Sequence, residues 1–315
     1  MRLGYVGYDV FFGLDMQPQV QIAQQPFYQQ LRRQGVTVKF LLHDLLPIQM
    51  PEFFPPGNKE GFTRWLRSIT ATDGVICVSR TVSEELREWV EQNCPDRERP
   101  LQIAWSHNGA DIDNSAPSKG MPDDAQEVLA RLAARPSFLM VGTLEPRKGH
   151  ADILDAFDVL WREGEDINLV IVGKMGWKIE DLAERIRSHP ELNQRLFWLA
   201  GISDEYLDAI YSSCACLVSA SYGEGFGLPL IEAARKGLPL ILRDIPIFRE
   251  IAGHNATFFP GRSNPRETAH TVSCWISNHK NMMVKQSTRI PSMLWRESVN
   301  NLNHLLGISA GGGWL

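Results

Sequence analysis

Short apolar runs alternate with helical segments along most of this chain, and this alternation restricts the possible folds more than any other feature. The clearest runs cover residues 36–42, 138–141 and 169–172, and a helical segment follows each of them. A parallel strand buried on both faces reads as a continuous apolar run, and a helix is the usual connection between two such strands. We therefore predict an α/β fold with parallel sheets. The same pattern predicts strands at residues 74–78, 101–105, 196–199, 214–218, 239–242 and 256–259.

A polar segment at residues 107–120 interrupts the alternation. It is rich in Asn, Asp, Ser, Pro and Gly, a composition that is typical of a linker. A chain of 315 residues is also long enough for two domains. We therefore predict an amino-terminal domain with its linker at residues 1–118, a second domain at 119–290, and a terminal helix and tail at 291–315.

The segment 219–232 predicts an anion site at the end of a strand. Glycine lets the backbone adopt positive φ and approach a ligand closely, and three glycines lie close together here: Gly223, Gly225 and Gly227. Pro229 then fits the first turn of a helix. The N–H groups at the start of that helix favour a phosphate, and they belong to Phe226, Gly227 and Leu228.

Two glutamates flank this predicted anion site. Glu224 lies in the glycine loop, and Glu232 lies about one turn into the helix. Carboxylates repel an anion, so they need another role, and accepting hydrogen bonds from sugar hydroxyls is the simplest one. A phosphate with hydroxyls on both sides describes a nucleotide sugar. The alternative is a strand-to-helix turn whose glycines serve only to make it tight.

Two adjacent cations, Arg147 and Lys148, follow the run at 138–141. Ligands of open α/β sheets bind at the carboxyl ends of the strands, so these cations are placed to neutralise a diphosphate. The alternative is a solvated basic turn, although positive charge is unfavourable at a helix start. His43 follows the run at 36–42 at the same kind of strand end, and Asp44 beside it suits a capping role.

Two strings carry a family resemblance. E-G-F-G-L-P-L-I-E, from Glu224 to Glu232, resembles the paired-glutamate element of retaining glycosyltransferases of family 4. E-P-R-K-G, from Glu145 to Gly149, resembles the phosphate-binding stretch of the same family. The resemblance implies the GT-B fold, with two Rossmann-like doubly wound domains and the active site between them. It also implies that the first domain is shortened, because family members usually open with a longer one.

The resemblance assigns roles to individual residues. It implies catalytic roles for His43, Arg147, Lys148 and Glu224. Thr143 stands where many members carry an arginine, a role that Arg147 can cover. The residues that the resemblance places against the donor are Gly142, Thr143, Lys174, Gly201, Ile202, Gly225, Phe226, Gly227, Leu228 and Glu232, with Glu232 on the ribose. Lys174 is equally consistent with a solvated lysine.

The string L-V-I-V-G-K-M-G-W, from Leu169 to Trp177, resembles bacterial members that build polysaccharide and are often mannosyltransferases. The implied enzyme transfers a sugar, preferably mannose from GDP-mannose, to a saccharide or polyprenyl-linked acceptor with retention, as in lipopolysaccharide biosynthesis. Two alternatives stay open. One is an inactive or partner-dependent module that binds sugar nucleotides, and the other is a sugar-nucleotide epimerase.

The resemblance implies no metal and no cofactor beyond the nucleotide sugar, which is the donor substrate. Asp111 and Asp113 match the D-x-D metal pattern of other sugar transferases, but their turn-like surroundings favour capping. The net charge of −5 gives no support to a nucleic-acid partner.

The sequence is consistent with a cytoplasmic protein. Its five cysteines are an odd number, and several lie in apolar runs as reduced core residues do. No apolar run approaches the roughly 20 residues that a spanning helix needs, so we expect any membrane contact to be peripheral. One candidate surface is the helix that carries Phe62, Trp65 and Leu66 beside basic residues. The same pattern also fits a helix that packs on a sheet.

Overall fold

The structure, a computed structural model, describes residues 9–94, 99–110, 120–281 and 283–308. The chain divides into two compact units, one formed by Met1–Gly109 with Met293–Leu315 and the other by Ala110–Ser292. The carboxyl-terminal segment therefore belongs to the same unit as the start of the chain. Asp111 and Asp113 lie outside the described residues.

Within the described residues, the first unit is built on a four-stranded parallel sheet. The strands follow chain order across the sheet: β1 (Val10–Gly13), β2 (Thr37–Leu42), β3 (Gly74–Cys77) and β4 (Gln102–Trp105). The helices of this unit are α1 (Pro18–Ala23), α2 (Gln25–Arg33), α3 (Leu46–Gln49), α4 (Asn58–Thr70) and α5 (Arg80–Asn93), with α13 (Trp295–Leu306) from the end of the chain.

Helix α4 packs its apolar side against the core of this unit. Trp65 is 1% exposed, and Phe62 and Leu66 are buried with it. The Trp65 indole N–H donates a hydrogen bond to the side-chain oxygen of Gln21. The suggestion that these three side chains form a lipid-binding surface is therefore wrong, and the alternative of packing in the core is confirmed. Sequence periodicity cannot separate the two, because both require the same apolar stripe.

Helix α13 docks on the first unit through polar contacts at both of its ends. The Ser298 hydroxyl donates to the carbonyl of His107 over 2.8 Å, and the Lys39 ammonium donates to the carbonyl of Leu305 over 3.0 Å. Gly109 lies directly against the helix start, since a Cβ built there would lie 2.3 Å from the backbone of Trp295. Segments almost 200 residues apart in sequence therefore close one unit.

The second unit holds a six-stranded parallel sheet in the described part of the chain. Its strands are β5 (Ser137–Val141), β6 (Asn168–Val172), β7 (Leu196–Leu199), β8 (Cys216–Ser219), β9 (Leu240–Arg243) and β10 (Thr257–Phe259). Its helices are α6 (Ala125–Ala133), α7 (His150–Arg162), α8 (Glu180–Arg187), α9 (Asp204–Ser213), α10 (Leu228–Arg235), α11 (Pro246–Ala252) and α12 (Pro265–Lys280).

The strand order of the second sheet, β10-β9-β8-β5-β6-β7, makes it doubly wound. The chain moves outward from β5 through β6 to β7, then returns to the other side of β5 and continues outward from β8. The direction reverses between β5 and β8, and such a switch point leaves a crevice at the carboxyl ends of the strands, where ligands of this fold class bind. The predicted α/β fold with parallel sheets is confirmed.

The central strands of the second unit are buried on both faces of the sheet, as expected for parallel strands: every residue of β6 is buried. Phe138 on β5 packs edge-on against Phe157 of α7, with ring centroids 5.5 Å apart, and against Trp275 of α12 at 5.3 Å. These side chains belong to a buried apolar cluster that anchors β5 and β8, the two strands at the switch point.

No helix among the described residues is both long enough and apolar enough to cross a membrane. The five cysteines are free thiols, and burial raises the pKa of the Cys77 and Cys214 thiols to about 12.

Candidate functional site

The loops after β5 and β8 lie against each other at the switch point. The Tyr222 N–H donates to the carbonyl of Arg147 over 2.8 Å. Gly149 has φ +68° and sits so close to the other loop that a Cβ there would lie 2.4 Å from the Ala220 carbonyl oxygen. Only glycine fits at this position, and the two loops therefore form one surface.

Three predicted site residues meet on this surface. The Lys148 Nζ lies 2.5 Å from Glu224 Oε1, and the Arg147 Nη1 lies 3.1 Å from Glu224 Oε2. The Ser221 hydroxyl donates to Glu224 Oε1 over 2.7 Å. Arg147 also donates to the carbonyl of Gly223 over 3.1 Å, so the cation holds the glycine loop as well as its carboxylate.

The two cations and burial shift the pKa values of the neighbouring carboxyls, Glu224 and Glu145, in opposite directions. Burial alone would raise the pKa of Glu224, but Lys148 and Arg147 beside it hold that pKa below its ordinary value. Glu145 pairs with Arg147 over 2.9 Å, yet burial keeps its pKa raised. His150 is buried next to this cluster, and burial together with Lys148 lowers its pKa to about 3, so it adds no further charge. Glu224 pairs with both cations, and they favour its ionised form.

The helix after the glycine loop has the predicted start. Gly227 adopts φ +96° as the residue before α10, and Pro229 lies in the first turn. The N–H groups of that first turn point out of the helix end, which favours an anion there. Glu232, farther along α10, accepts a hydrogen bond of 2.8 Å from the Tyr211 hydroxyl. Burial raises the pKa of the Glu232 carboxyl, which the Tyr211 contact partly offsets.

A second pair of loops, after β5 and β6, brings further predicted residues to this edge. The Leu144 N–H donates to the Lys174 carbonyl over 2.9 Å. Gly173 is packed against Gly142 so closely that a Cβ at Gly173 would lie 1.9 Å from the Gly142 carbonyl oxygen. Thr143 and Lys174 are exposed above this tight backbone. A Cβ at Gly201 would lie 3.8 Å from Lys174 Cε, so Lys174 lies near the loop that continues to Ile202.

His43 lies in the first unit and is exposed directly after β2. The next residue, Asp44, accepts a hydrogen bond of 3.1 Å from the Leu46 N–H, so its side chain holds the loop before α3, whose N-cap is Leu45. His43 thus lies at the carboxyl end of a strand, as the sequence predicts, and the catalytic role of His43 stays a prediction.

Several residues that surround the site were not found by sequence reasoning. Ser221 and Tyr211 hold the two glutamates, and Glu145 pairs with Arg147. The buried Arg243 forms a network with the half-buried Asp152 and Tyr222 beside the glycine loop. Arg243 could have indicated this network from the sequence, since it is a charged residue at the end of an apolar run. A charge that is buried in such a position has to be paired. Among the described residues, no group of His, Cys, Asp and Glu is arranged to hold a metal.

Comparisons with known proteins agree on a transferase family. The model of the family described as Glycosyl transferases group 1 matches residues 123–290. A serotype-specific mannosyltransferase, WbdA of Escherichia coli, is 47% identical over 283 residues, which are 89% of this chain and 35% of the relative. The chain thus spans about a third of the length of this curated relative.

Solved structures share the fold of this chain at low sequence identity. HepE of Anabaena in complex with UDP and glucose matches with a TM-score of 0.70 at 17% identity, covering 95% of this chain and 77% of that one. The sucrose-phosphate synthase of Thermosynechococcus elongatus matches with a TM-score of 0.68 at 19% identity, covering 95% and 73%. These likenesses confirm the predicted GT-B type of α/β fold.

Proposed function

The chain belongs to the glycosyl transferases group 1 family, and from this premise we propose that it transfers mannose from GDP-mannose to a saccharide acceptor with retention of anomeric configuration. The preference for mannose rests on the relative that is named a mannosyltransferase and shares 47% of the aligned residues. Retention rests on the paired glutamates, Glu224 and Glu232, which match the element of the retaining transferases.

One observation carries the proposal: Arg147, Lys148 and Glu224 converge at the switch point of a doubly wound sheet. Two cations beside a helix N-terminus suit a diphosphate, because charged donors and helix N–H groups both stabilise phosphate oxygens. The carboxylate between them suits the sugar hydroxyls that follow the diphosphate in a nucleotide sugar. Glu232, one turn into α10, suits the ribose hydroxyls.

These residues lower the barrier by stabilising the leaving group. As the bond between the anomeric carbon and the diphosphate oxygen breaks, negative charge grows on the nucleoside diphosphate. Arg147, Lys148 and the first N–H groups of α10 stabilise that charge where it develops. The acceptor hydroxyl forms the new bond to the anomeric carbon, and its proton passes to an oxygen of the departing diphosphate. The catalytic role that the family resemblance implies for His43 is part of this proposal.

The acceptor in this proposal is a saccharide carried on a polyprenyl lipid, extended as part of a surface polysaccharide. We place the protein in the cytoplasm at the inner face of the membrane, in peripheral contact with it. The apolar side of α4 does not supply that contact, because it is buried in its own unit.

The test is transfer by the purified chain. GDP-mannose is offered together with a mannose-terminated oligosaccharide, free or on a lipid anchor, and UDP-glucose and UDP-galactose serve as donor controls. We expect GDP release with a product one mannose longer, and an α-linkage by NMR of its anomeric proton. Binding of GDP-mannose without turnover indicates a binding module, and release of an epimerised sugar without acceptor indicates an epimerase.

Two lysines provide a matched pair of variants for this test. Lys148 reaches the Glu224 carboxylate at the switch point, whereas Lys174 is exposed on the neighbouring loop. We expect Lys148→Ala to reduce turnover about 10²–10³-fold, the loss typical of removing one donor to a developing oxyanion. Lys174→Ala should cost much less. Equal or reversed losses would place the diphosphate against the loop after β6 instead.

A further inference from the structure

Arg243, the last residue of β9, is a buried charge that lies outside both family motifs. Its side chain is 1% exposed. Burying a guanidinium without partners is very costly, so a residue of this kind persists only where its donors are satisfied. The acceptors of the guanidinium N–H groups therefore show which parts of the molecule Arg243 holds.

The guanidinium of Arg243 connects three segments at the carboxyl edge of the sheet. The Nε donates to the Ala220 carbonyl over 2.7 Å, in the loop after β8. The Nη1 donates to the Gly261 carbonyl over 2.8 Å, after β10. The Nη2 pairs with the Asp152 carboxylate at the start of α7. Each of the three nitrogens therefore contacts a different segment.

Tyr222 completes the connection to the glycine loop. Its ring lies under the guanidinium, with the Arg243 Cζ 4.0 Å from the ring centroid. Its hydroxyl donates to Asp152 Oδ2 over 2.6 Å. Its backbone N–H donates a hydrogen bond to the Arg147 carbonyl. Burial and the Asp152 contact raise the pKa of Tyr222, so its hydroxyl stays protonated and remains a donor. The network thus holds Ala220 and Tyr222 on both sides of Ser221, and Tyr222 is two residues before Glu224.

We propose that Arg243, acting with Asp152 and Tyr222, is a positioning residue that holds the loop 220–224 so that Glu224 sits between Arg147 and Lys148. The inference rests on the proposed function, because it assigns Arg243 a task in the transferase site. Arg243 touches no reacting group in this arrangement, and its effect passes through Glu224.

The geometry requires an arginine. A guanidinium directs its five N–H donors in a fixed planar fork, which matches three acceptors in different directions and a ring on one face. A lysine would keep the charge but could not reach all three segments. Arg243→Lys therefore removes the positioning while it conserves the charge.

The test is a double-mutant cycle of Arg243→Lys and Glu224→Gln, measured as kcat for mannosyl transfer. Misplacing a reacting group by about 1 Å can cost on the order of 10²-fold, so we expect Arg243→Lys to lower kcat by about 10- to 100-fold. In the Glu224→Gln background the same change should cost less than about threefold, because the group that Arg243 positions is already altered. Melting temperatures are measured for all four proteins.

A purely structural Arg243 would give the opposite pattern. Its replacement would then lower the melting temperature and reduce kcat by the same factor in both backgrounds, and that additivity would overturn the inference. Tyr222→Phe, which removes only the hydroxyl bond to Asp152, should show a weaker form of the same coupling.

The control is Arg195→Lys. Arg195 also makes three side-chain contacts, two with Glu191 and one with the Glu165 carbonyl, but it precedes β7 at the opposite edge of the sheet. Its replacement should leave kcat unchanged. If the unaltered chain transfers no sugar, the proposed function fails, and the cycle is then measured on the Kd for GDP. An effect of Arg243→Lys that is equal in both backgrounds overturns the positioning role there too.

Discussion

Glu224 determines the charge that a nucleotide meets at the loop after β8. In the structure its carboxylate already neutralises Arg147 and Lys148, the two cations that suit a diphosphate. Under the proposed function, a diphosphate that binds these cations competes with a carboxylate of the protein itself. Its binding would release Glu224 to accept hydrogen bonds from the sugar. The same residue can thus act as counter-ion before binding and as sugar ligand afterwards.

This dual role predicts opposite effects on binding and on transfer. Glu224→Gln should bind GDP about tenfold more tightly, a change of about 1.4 kcal/mol, because the diphosphate no longer displaces a carboxylate. Mannosyl transfer should fall at the same time. Isothermal titration with GDP and turnover assays measure the two effects. Glu191→Gln, which alters a carboxylate paired with Arg195 at the other edge of the sheet, is the control.

The pH dependence of stability provides an independent check on Glu224. Its pKa is lower in the folded chain than its ordinary value of 4.5, so its ionised form stabilises the fold above about that pH. This stability is lost as the pH falls through the folded-state pKa. Without ligand, Glu224→Gln should therefore melt lower than the unaltered chain at pH 7, and the difference should shrink below pH 4.5. A pH-independent difference would contradict the counter-ion role.

Glu232 should show the opposite sign. Burial raises its pKa, so ionising it costs stability once the pH exceeds its ordinary value of 4.5. Glu232→Gln should raise Tm at pH 7 by about 2–4 °C, the shift that ~1 kcal/mol produces in a unit of this size. That gain should vanish below pH 4.5. GDP binding should weaken by about 1.5–3 kcal/mol if the carboxylate holds the ribose. Unchanged GDP affinity would remove Glu232 from the site.

At this scale the sequence predicted the site's chemical groups better than their contacts. Residue type and strand position indicated Arg147, Lys148 and Glu224 at one edge, and the structure brings them together. The pairing of Glu224 with both cations was not predicted, because the argument considered only how a carboxylate repels an anion. Tyr211 and Arg243 were missed for a different reason. Each reaches the site from a neighbouring element, and no local pattern indicates which element will be the neighbour.

At the scale of secondary-structure elements, the residue that caps the start of α9, Ser203, also connects this helix to a distant segment of the chain. Ser203 accepts a hydrogen bond of 3.1 Å from the Tyr206 N–H, and its hydroxyl donates to the Gly120 carbonyl over 2.5 Å. The first contact makes Ser203 the N-cap of α9. The second ties the start of α9 to the chain before α6.

Losing this cap should be measurable by denaturant unfolding. Ser203→Ala should lower the free energy of unfolding by about 1–2 kcal/mol, the upper part of the range for such caps, because a second bond is lost as well. Ser212→Ala in the same helix is the matched control, since its exposed hydroxyl bonds only the Asp208 carbonyl one turn back. Its effect should lie within about 0.5 kcal/mol. Equal losses would mean that the cap adds nothing to stability.

The elements themselves were predictable wherever apolar runs are long. Helix α7 follows β5, as the alternation of apolar runs and helical segments predicts. The break between α1 and α2 lies next to Pro26, a residue that favours a helix start over a helix interior. Strand β1 was missed, because V-F-F-G mixes aromatic residues with glycine and its side chains are only half-buried. The start of β8 was placed two residues too early, since α9 continues to Ser213 and Cys214 caps it.

At the scale of the whole molecule, the return of the chain end to the first unit is the least local feature. It depends on contacts such as that of Gly109 with the start of α13. Gly109→Ala should destabilise the first unit by about 2 kcal/mol or more, because its Cβ would overlap backbone atoms that cannot rotate away. Thermal unfolding followed by calorimetry measures this.

Gly61→Ala is the matched control for that glycine. Gly61 lies inside α4 with no atom within 4 Å of a Cβ built there, so alanine should stabilise the helix by about 0.5–1 kcal/mol. If both glycines respond alike, the docking of α13 against Gly109 is not tight. Sequence reasoning could not foresee this contact, because nothing near residue 109 indicates a partner from the end of the chain.

The close glycine contacts at the carboxyl edge of the second sheet also decide where this protein can be re-engineered. Gly149 and Gly173 approach other loops so closely that even a methyl group would collide with backbone oxygen. A library that seeks a new donor preference should therefore leave these positions unchanged. Thr143 and Lys174 are exposed on the same loops, and their side chains can be varied while the backbone beneath them stays in place. Substitutions at these two positions would change the surface that, under the proposed function, faces the donor, and the resulting chains should still fold.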